Sequence, residues 1–159
     1  MAGKSSKLLR EHRDWFLRHP AKPSKVLMAH FNPAWGLLKD AYTYCLDLSH
    51  PEVLDHLFKT FRSLREAGFV LFKVDFLLAG MRHGIRYNPN ITRVEAYLNG
   101  LMTIRRAIGA GGFLLGCGAP LAPVQTGGIF DAMRVSRDTG KPYSVTVQSL
   151  KNARGATSE

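Results

Sequence analysis

Between Gly68 and Gly80 the chain carries the run Leu71-Phe72-Lys73-Val74-Asp75-Phe76-Leu77-Leu78-Ala79-Gly80, an aliphatic and aromatic stretch interrupted by two charges. A run of this kind reads as a buried strand. Strand side chains alternate between faces, so Lys73 and Asp75, two apart, point the same way. Charges inside such a strand are costly unless they pair or face a polar site. Lys73 and Asp75 therefore mark a pocket at a strand end.

The segments on either side fix the architecture. Ser49-His50-Pro51-Glu52 has the form of a helix start, with Ser49 as cap, Pro51 in the first turn and Glu52 three residues after the serine. Val53, Leu54, Leu57, Phe58, Phe61 and Leu64 then recur at helical spacing and predict one buried face, closed by Gly68. Thr92 and Glu95 form a second capping box ahead of Val94, Leu98, Leu101 and Ile108, with Gly109 as the stop. Strands are predicted at Tyr42–Leu48, at Phe113–Cys117 and at Phe130–Ser136, the last running to Asp138. A short helical signal lies around Arg10–Leu17, followed by a loop punctuated by Pro20, Pro23 and Pro33.

Strand, helix, strand, helix, strand, loop, strand is the order of a parallel sheet with helical crossovers. Ligands of such sheets sit at the carboxyl ends of the strands, where Asp47, Asp75, Cys117-Gly118, Arg134 and Asp138 cluster. The predicted organisation is a basic, flexible N-terminus over 1–10, a (β/α) unit over 11–140 and a weakly helical tail over 141–159.

At 159 residues the chain is one ordinary domain and too short for a complete eight-unit barrel of about 250 residues. Its net charge of +10 would suit an acidic partner, but no recognition motif accompanies it, so nucleic acid is disfavoured. Cys45 and Cys117 lie in apolar runs and read as reduced, buried thiols, and no histidine joins them at metal-ligand spacing. No cofactor or metal is implied. No apolar stretch reaches the roughly 20 residues of a membrane span, and no secretory signal pattern is visible, so the expected location is cytoplasmic.

Two carboxylates at the ends of different parallel strands are what glycoside hydrolysis needs. Spacing alone is equally compatible with structural aspartates. The residues go further. Phe72-Lys73-Val74-Asp75-Phe76-Leu77 with Ala79-Gly80 resembles the nucleophile strand of the melibiase-type α-galactosidases, glycoside hydrolase family 36. His12-Arg13-Asp14-Trp15 resembles that family's His-Pro-Asp-Trp segment, with Arg13 in place of the proline. Leu46–Val53, Ile104–Gly109, Leu115–Leu121 and Asp131–Thr139 are similar, in order, to the flanking strands and helices.

The resemblance runs from about residue 5 to 140. It implies a partial (β/α)8 TIM barrel, roughly strands three to six with their helices. It also implies a retaining hydrolysis of terminal α-linked galactose, with Asp75 as nucleophile and Asp138 as general acid/base. Lys73 and Arg134 would bind the sugar, Trp35 would line the pocket, and Cys117 and Gly118 would form the wall on the 2-hydroxyl side. Asp47, also at a strand end, reads as a structural hydrogen-bonding residue.

The chain departs from the family where the pocket needs more. It contains no Asp-Asp pair, which in the family holds the sugar's 4- and 6-hydroxyls, and nothing resembling the first or last barrel strands. The resemblance therefore implies a fragment of low activity alone. The alternative is a non-catalytic half-barrel that self-associates or pairs with a complementary half.

Overall fold

The structure, a computed structural model, describes residues 1–36, 41–119 and 128–134. It is a mixed α/β fold with an antiparallel N-terminal part and a parallel C-terminal part. Where a flexible terminus is expected over 1–10, the chain forms strand β1 (Ala2–Gly3) and helix α1 (Lys7–Glu11). The Ser6 hydroxyl caps α1 by accepting the Leu9 amide at 3.2 Å. A 3-10 turn, Arg13–Trp15, follows, so the helical signal near Arg10–Leu17 divides between two short elements.

The proline-rich segment is not the loop its composition predicts. It holds β2 (Arg18–His19), β3 (Lys22–Val26) and β4 (Met28–Phe31). β2 and β3 pair antiparallel, with the register broken between Arg18–Val26 and His19–Lys22. Pro23 falls in that irregularity of a two-stranded edge, where a missing N–H removes no ladder bond.

The strand predicted over Tyr42–Leu48 is shorter and runs in a different sheet. β5 (Tyr42–Tyr44) lies antiparallel between β1 and β4. Beyond it the backbone groups are taken by the N-terminal segments. The Leu17 amide donates to the Cys45 carbonyl at 3.0 Å, Cys45 donates to Leu27 at 3.1 Å, and Asp47 donates to Trp15 at 2.8 Å. Those bonds tie one side of the segment to the N-terminal part, and no pairing between it and a parallel strand is formed among the described residues.

The parallel sheet consists of β6 (Leu71–Val74), β7 (Phe113–Gly116) and β8 (Ala132–Met133), in that order. Leu71 stands opposite Phe113, and Leu115 opposite Ala132. Three of the four predicted strands are thus parallel neighbours, and the outer edge of β6 has no strand partner among the described residues. Residues 135–159, which include the rest of the fourth predicted strand and the tail, lie outside the described residues.

Helix α2 (Pro51–Glu66) starts one residue later than its sequence signature suggests. His50 is the cap, its Nδ1 accepting the Glu52 amide at 3.2 Å. Ser49 is otherwise engaged: its hydroxyl donates to Asp47 Oδ1 at 2.7 Å and accepts the Asn88 amide at 3.1 Å. Only part of the predicted apolar face is covered. Val53 is fully buried, while Phe58 and Leu64 keep 36% and 39% exposure.

Helix α3 (Arg93–Ile108) begins with the predicted box: Thr92 Oγ1 accepts the Glu95 amide and the Glu95 carboxylate accepts the Thr92 amide. Its buried face, including Tyr97, Leu101, Ile104 and Ile108, packs against α2 and the sheet. Each such side chain contributes about 1.5–3 kcal/mol of apolar burial. Arg105 near its end straps the last strand in place: Nε and Nη2 donate to the Ile129 carbonyl, Nη1 donates to the Gly112 carbonyl at 2.8 Å, and Nη2 pairs with Asp131.

Two expected results follow from these ends. Thr92→Ala removes one half of the box and should lower stability by about 1 kcal/mol in urea unfolding. The second concerns acid. Hydrogen bonds from Thr92, backbone first, hold the Glu95 carboxyl below its ordinary range, and the Arg105 guanidinium followed by the Leu114 amide does the same for Asp131. Lowered folded values stabilise the protein fully above the ordinary carboxylate pKa of about 4. That contribution disappears as pH falls through the lowered values. Thermal melts followed by circular dichroism should therefore show Tm falling below about pH 4. In variants carrying Glu95→Gln and Asp131→Asn the fall should be shallower.

Candidate active site

Asp75 follows the last residue of β6, Cys117 the last of β7 and Arg134 the last of β8. Three adjacent parallel strands thus deliver their carboxyl ends to one rim, where sheets of this class bind ligands. The Arg134 amide donates to the Gly116 carbonyl at 2.9 Å, which fixes its backbone beside that rim. Asp138 lies outside the described residues.

The two charges of the apolar strand share a face, as the alternation requires. Lys73 Nζ is 3.5 Å from Asp75 Oδ2, with the lysine side chain about half exposed and the carboxylate about a third. The other oxygen, Oδ1, accepts the Phe76 amide at 2.7 Å.

Phe76 itself adopts φ 54°, ψ 33°, the left-handed region that a bulky side chain rarely enters. Neighbouring bonds hold it there. The Cys117 amide donates to the Val74 carbonyl at 2.8 Å, and the Leu78 amide donates to the Gly118 carbonyl at 2.7 Å. Gly118, at φ +58°, lies flat against this turn: a Cβ there would stand 3.4 Å from Phe76 Cα and 3.7 Å from Asp75 Oδ1. The glycine therefore forms the wall beside the carboxylate. Cys117 is buried at 1% exposure, a packed free thiol whose backbone supports that wall.

Trp35 closes the 3-10 turn Pro33–Trp35 and is 41% exposed. Its ring meets Phe76 edge-on at 5.1 Å, and His30 lies 5.1 Å from Trp35 and 5.2 Å from Phe76. Phe76 thus connects Trp35 to the Asp75 turn. Neither His30 nor Phe76 stands out in the sequence, because a left-handed phenylalanine has no sequence signature.

Asp75 and Phe76 also line an apolar cavity of about 210 Å³, enclosed by Leu48, Phe61, Tyr97 and Leu101 among others. It occupies the space between the 45–48 segment and β6, where the predicted parallel pairing does not form.

Asp47 takes the structural role read for it. It is 1% exposed, and its carboxylate accepts the Ser49 amide and hydroxyl through Oδ1 and the Tyr87 amide through Oδ2. Arg86 Nη1 approaches Oδ1 at 3.5 Å, and both side chains of this ion pair are buried. Cys45, two residues earlier, is a buried thiol pushed up to about 11, chiefly by burial.

Asp14, His50 and Glu52 bring potential ligand atoms within 4.8 Å of one another. Their hydrogen bonds do not suit a metal. His50 Nδ1 accepts the Glu52 amide, which leaves the neutral ring's proton on Nε2, 3.8 Å from Asp14. Glu52 Oε2 accepts the Trp15 indole at 2.8 Å. The trio is a helix cap and its neighbours.

No protein-family model matches the chain. Among solved structures, it is similar to TtGalA, the α-galactosidase from Thermus thermophilus, in complex with stachyose. The TM-score is 0.69 at 24% identity, over 98% of this chain and 33% of that one. The same enzyme in complex with p-nitrophenyl α-D-galactopyranoside gives 0.69 and 24%, over 98% of this chain and 31% of that one. The chain spans about a third of the length of the enzyme it matches.

Proposed function

We propose that the chain is the nucleophile-bearing part of a (β/α)8 catalytic barrel of α-galactosidase type. The observation that carries this reading is the Lys73–Asp75 pair walled by Gly118 at the carboxyl ends of parallel strands, within a fold similar to a third of an α-galactosidase. In this reading Asp75 attacks the anomeric carbon while Asp138 protonates the departing glycosidic oxygen. Asp138 then takes a proton from the water that hydrolyses the galactosyl ester on Asp75, and the configuration is retained. Lys73 holds Asp75 in place, and Arg134 and Trp35 bind the sugar.

Much of the transition-state binding in such a reaction comes from contacts remote from the reacting carbon. A chain with about a third of the matched enzyme's length has few of them, so turnover by this chain alone should be slow. The test is hydrolysis of p-nitrophenyl α-D-galactopyranoside by the purified chain and by Asp75→Asn. Hydrolysis that persists unchanged in the variant overturns the assignment.

A second reading, a half-barrel that assembles with another half, is favoured by one observation. Phe69, Val70 and Leu71 are 57–59% exposed at the start of β6, whose outer edge is unpaired among the described residues. Exposed apolar residues at a free edge promote association. A dimer in gel filtration that Leu71→Lys converts to monomer would support it, and a monomer at all concentrations would remove it.

A further inference from the structure

A wider cleft of about 690 Å³ shares Phe76 and Ala79 with the apolar cavity as lining residues. It is lined by His30, Arg82, His83 and Arg93 and reaches Gly118, the wall of the Asp75 turn. A second cleft continues from it, sharing His83 and Arg93 and adding Arg86. Among the described residues no carboxylate lines either one.

The cations differ in how far they are neutralised. Arg86 is paired with buried Asp47. Arg82 is held in place by donating Nη2 to the Ala29 carbonyl at 2.9 Å, a neutral acceptor that leaves its charge uncompensated. None of the ion pairs among the described residues uses Arg82 or Arg93. The nearest acid in sequence to Arg93, Glu95, has its carboxylate turned onto the Thr92 amide.

Guanidinium groups bind tetrahedral oxyanions through paired N–H donors, and a cleft of one sign concentrates the opposite charge. The geometry points to a subsite for an anionic ester, sulfate or phosphate, carried by a galactoside seated at Asp75, with Arg82 and Arg93 as its ligands. This deepens the reading of Asp75 as a galactoside site: the substrates it selects are acidic ones.

Calorimetric titration of the full chain tests it, with galactose, galactose 6-sulfate, galactose 3-sulfate, galactose 6-phosphate and inorganic sulfate as probes. At least one ester should bind about tenfold more tightly than galactose, and more tightly than inorganic sulfate. Arg93→Gln should remove most of that preference while leaving galactose affinity and the circular dichroism spectrum unchanged. Arg82→Gln should do the same, and Lys25→Gln, in β3, should change nothing.

Esters that bind no better than galactose overturn the inference. So does a preference that survives Arg93→Gln, or inorganic sulfate that binds as tightly as the esters. The outcome is separable from that of the hydrolysis test. Ester binding together with hydrolysis that Asp75→Asn leaves unchanged keeps the subsite and removes the catalytic reading, and Asp75-dependent hydrolysis without ester preference does the reverse.

Discussion

Asp75→Asn should lower hydrolysis of p-nitrophenyl α-D-galactopyranoside by about a thousandfold or more, the scale on which removing a covalent nucleophile acts. The substitution is nearly isosteric, and the carbonyl oxygen of the introduced carboxamide can still accept the Phe76 amide that Oδ1 now accepts. The loss would therefore report chemistry and not misfolding. Lys73→Met should act in the same direction but less strongly, since it removes the cation 3.5 Å from the carboxylate and leaves the nucleophile present. A mechanism-based α-galactosyl label should be found by mass spectrometry on the peptide containing Asp75. Labelling at another carboxylate, with Asp75 untouched, would sink the assignment even if the chain were active.

The second large effect concerns stability. Asp47→Ala should destabilise the protein by about 3–5 kcal/mol, the cost of leaving one member of a buried ion pair without its partner. The aspartate is 1% exposed, and Arg86 would remain in the interior facing a cavity. Ser49 and the Tyr87 amide would lose acceptors as well. Against a total of about 5–15 kcal/mol for an ordinary domain, that is enough to unfold a large share of the molecules near body temperature. Urea midpoints measure it. Asp47→Ala combined with Arg86→Met should recover part of the loss, because the orphaned charge is then gone. A double variant no more stable than the single one would mean that the pair is not what matters.

The C-terminal unit was legible in the sequence because local signals there agree with one another. The Thr92–Glu95 box, the helical spacing down to Ile108 and the stop at Gly109 all describe α3, which runs from Arg93 to Ile108. The alternation in the 71–80 run placed Lys73 and Asp75 on one face, and they lie 3.5 Å apart. The N-terminal part was less legible, since its strands are set by distant partners. The 42–48 segment pairs with β1, β4 and the 15–17 segment, and composition carries no trace of partners so far away in the chain. Ser49 has the chemistry of a cap, yet Asp47 and Asn88 claim its hydroxyl and His50 caps instead. At the candidate site the charged residues were visible and the support was not. The turn at Phe76 and the ring of His30 depend on contacts between segments distant in sequence.

The Arg105 strap also changes what the exchange of one amide with solvent deuterium would mean. Leu114 lies in the middle strand of the parallel sheet, but its N–H donates to the Asp131 side chain at 2.7 Å. Asp131 is held in turn by Arg105 from α3. The proton on Leu114 is therefore released when residues 128–131 swing away, without any parting of β6 from β7. Its protection factor would read the docking of the last described strand alone, while neighbouring amides in the β6–β7 ladder read the opening of the sheet. A gap between the two would identify β8 as a separate, weaker cooperative unit held to the fold from the side.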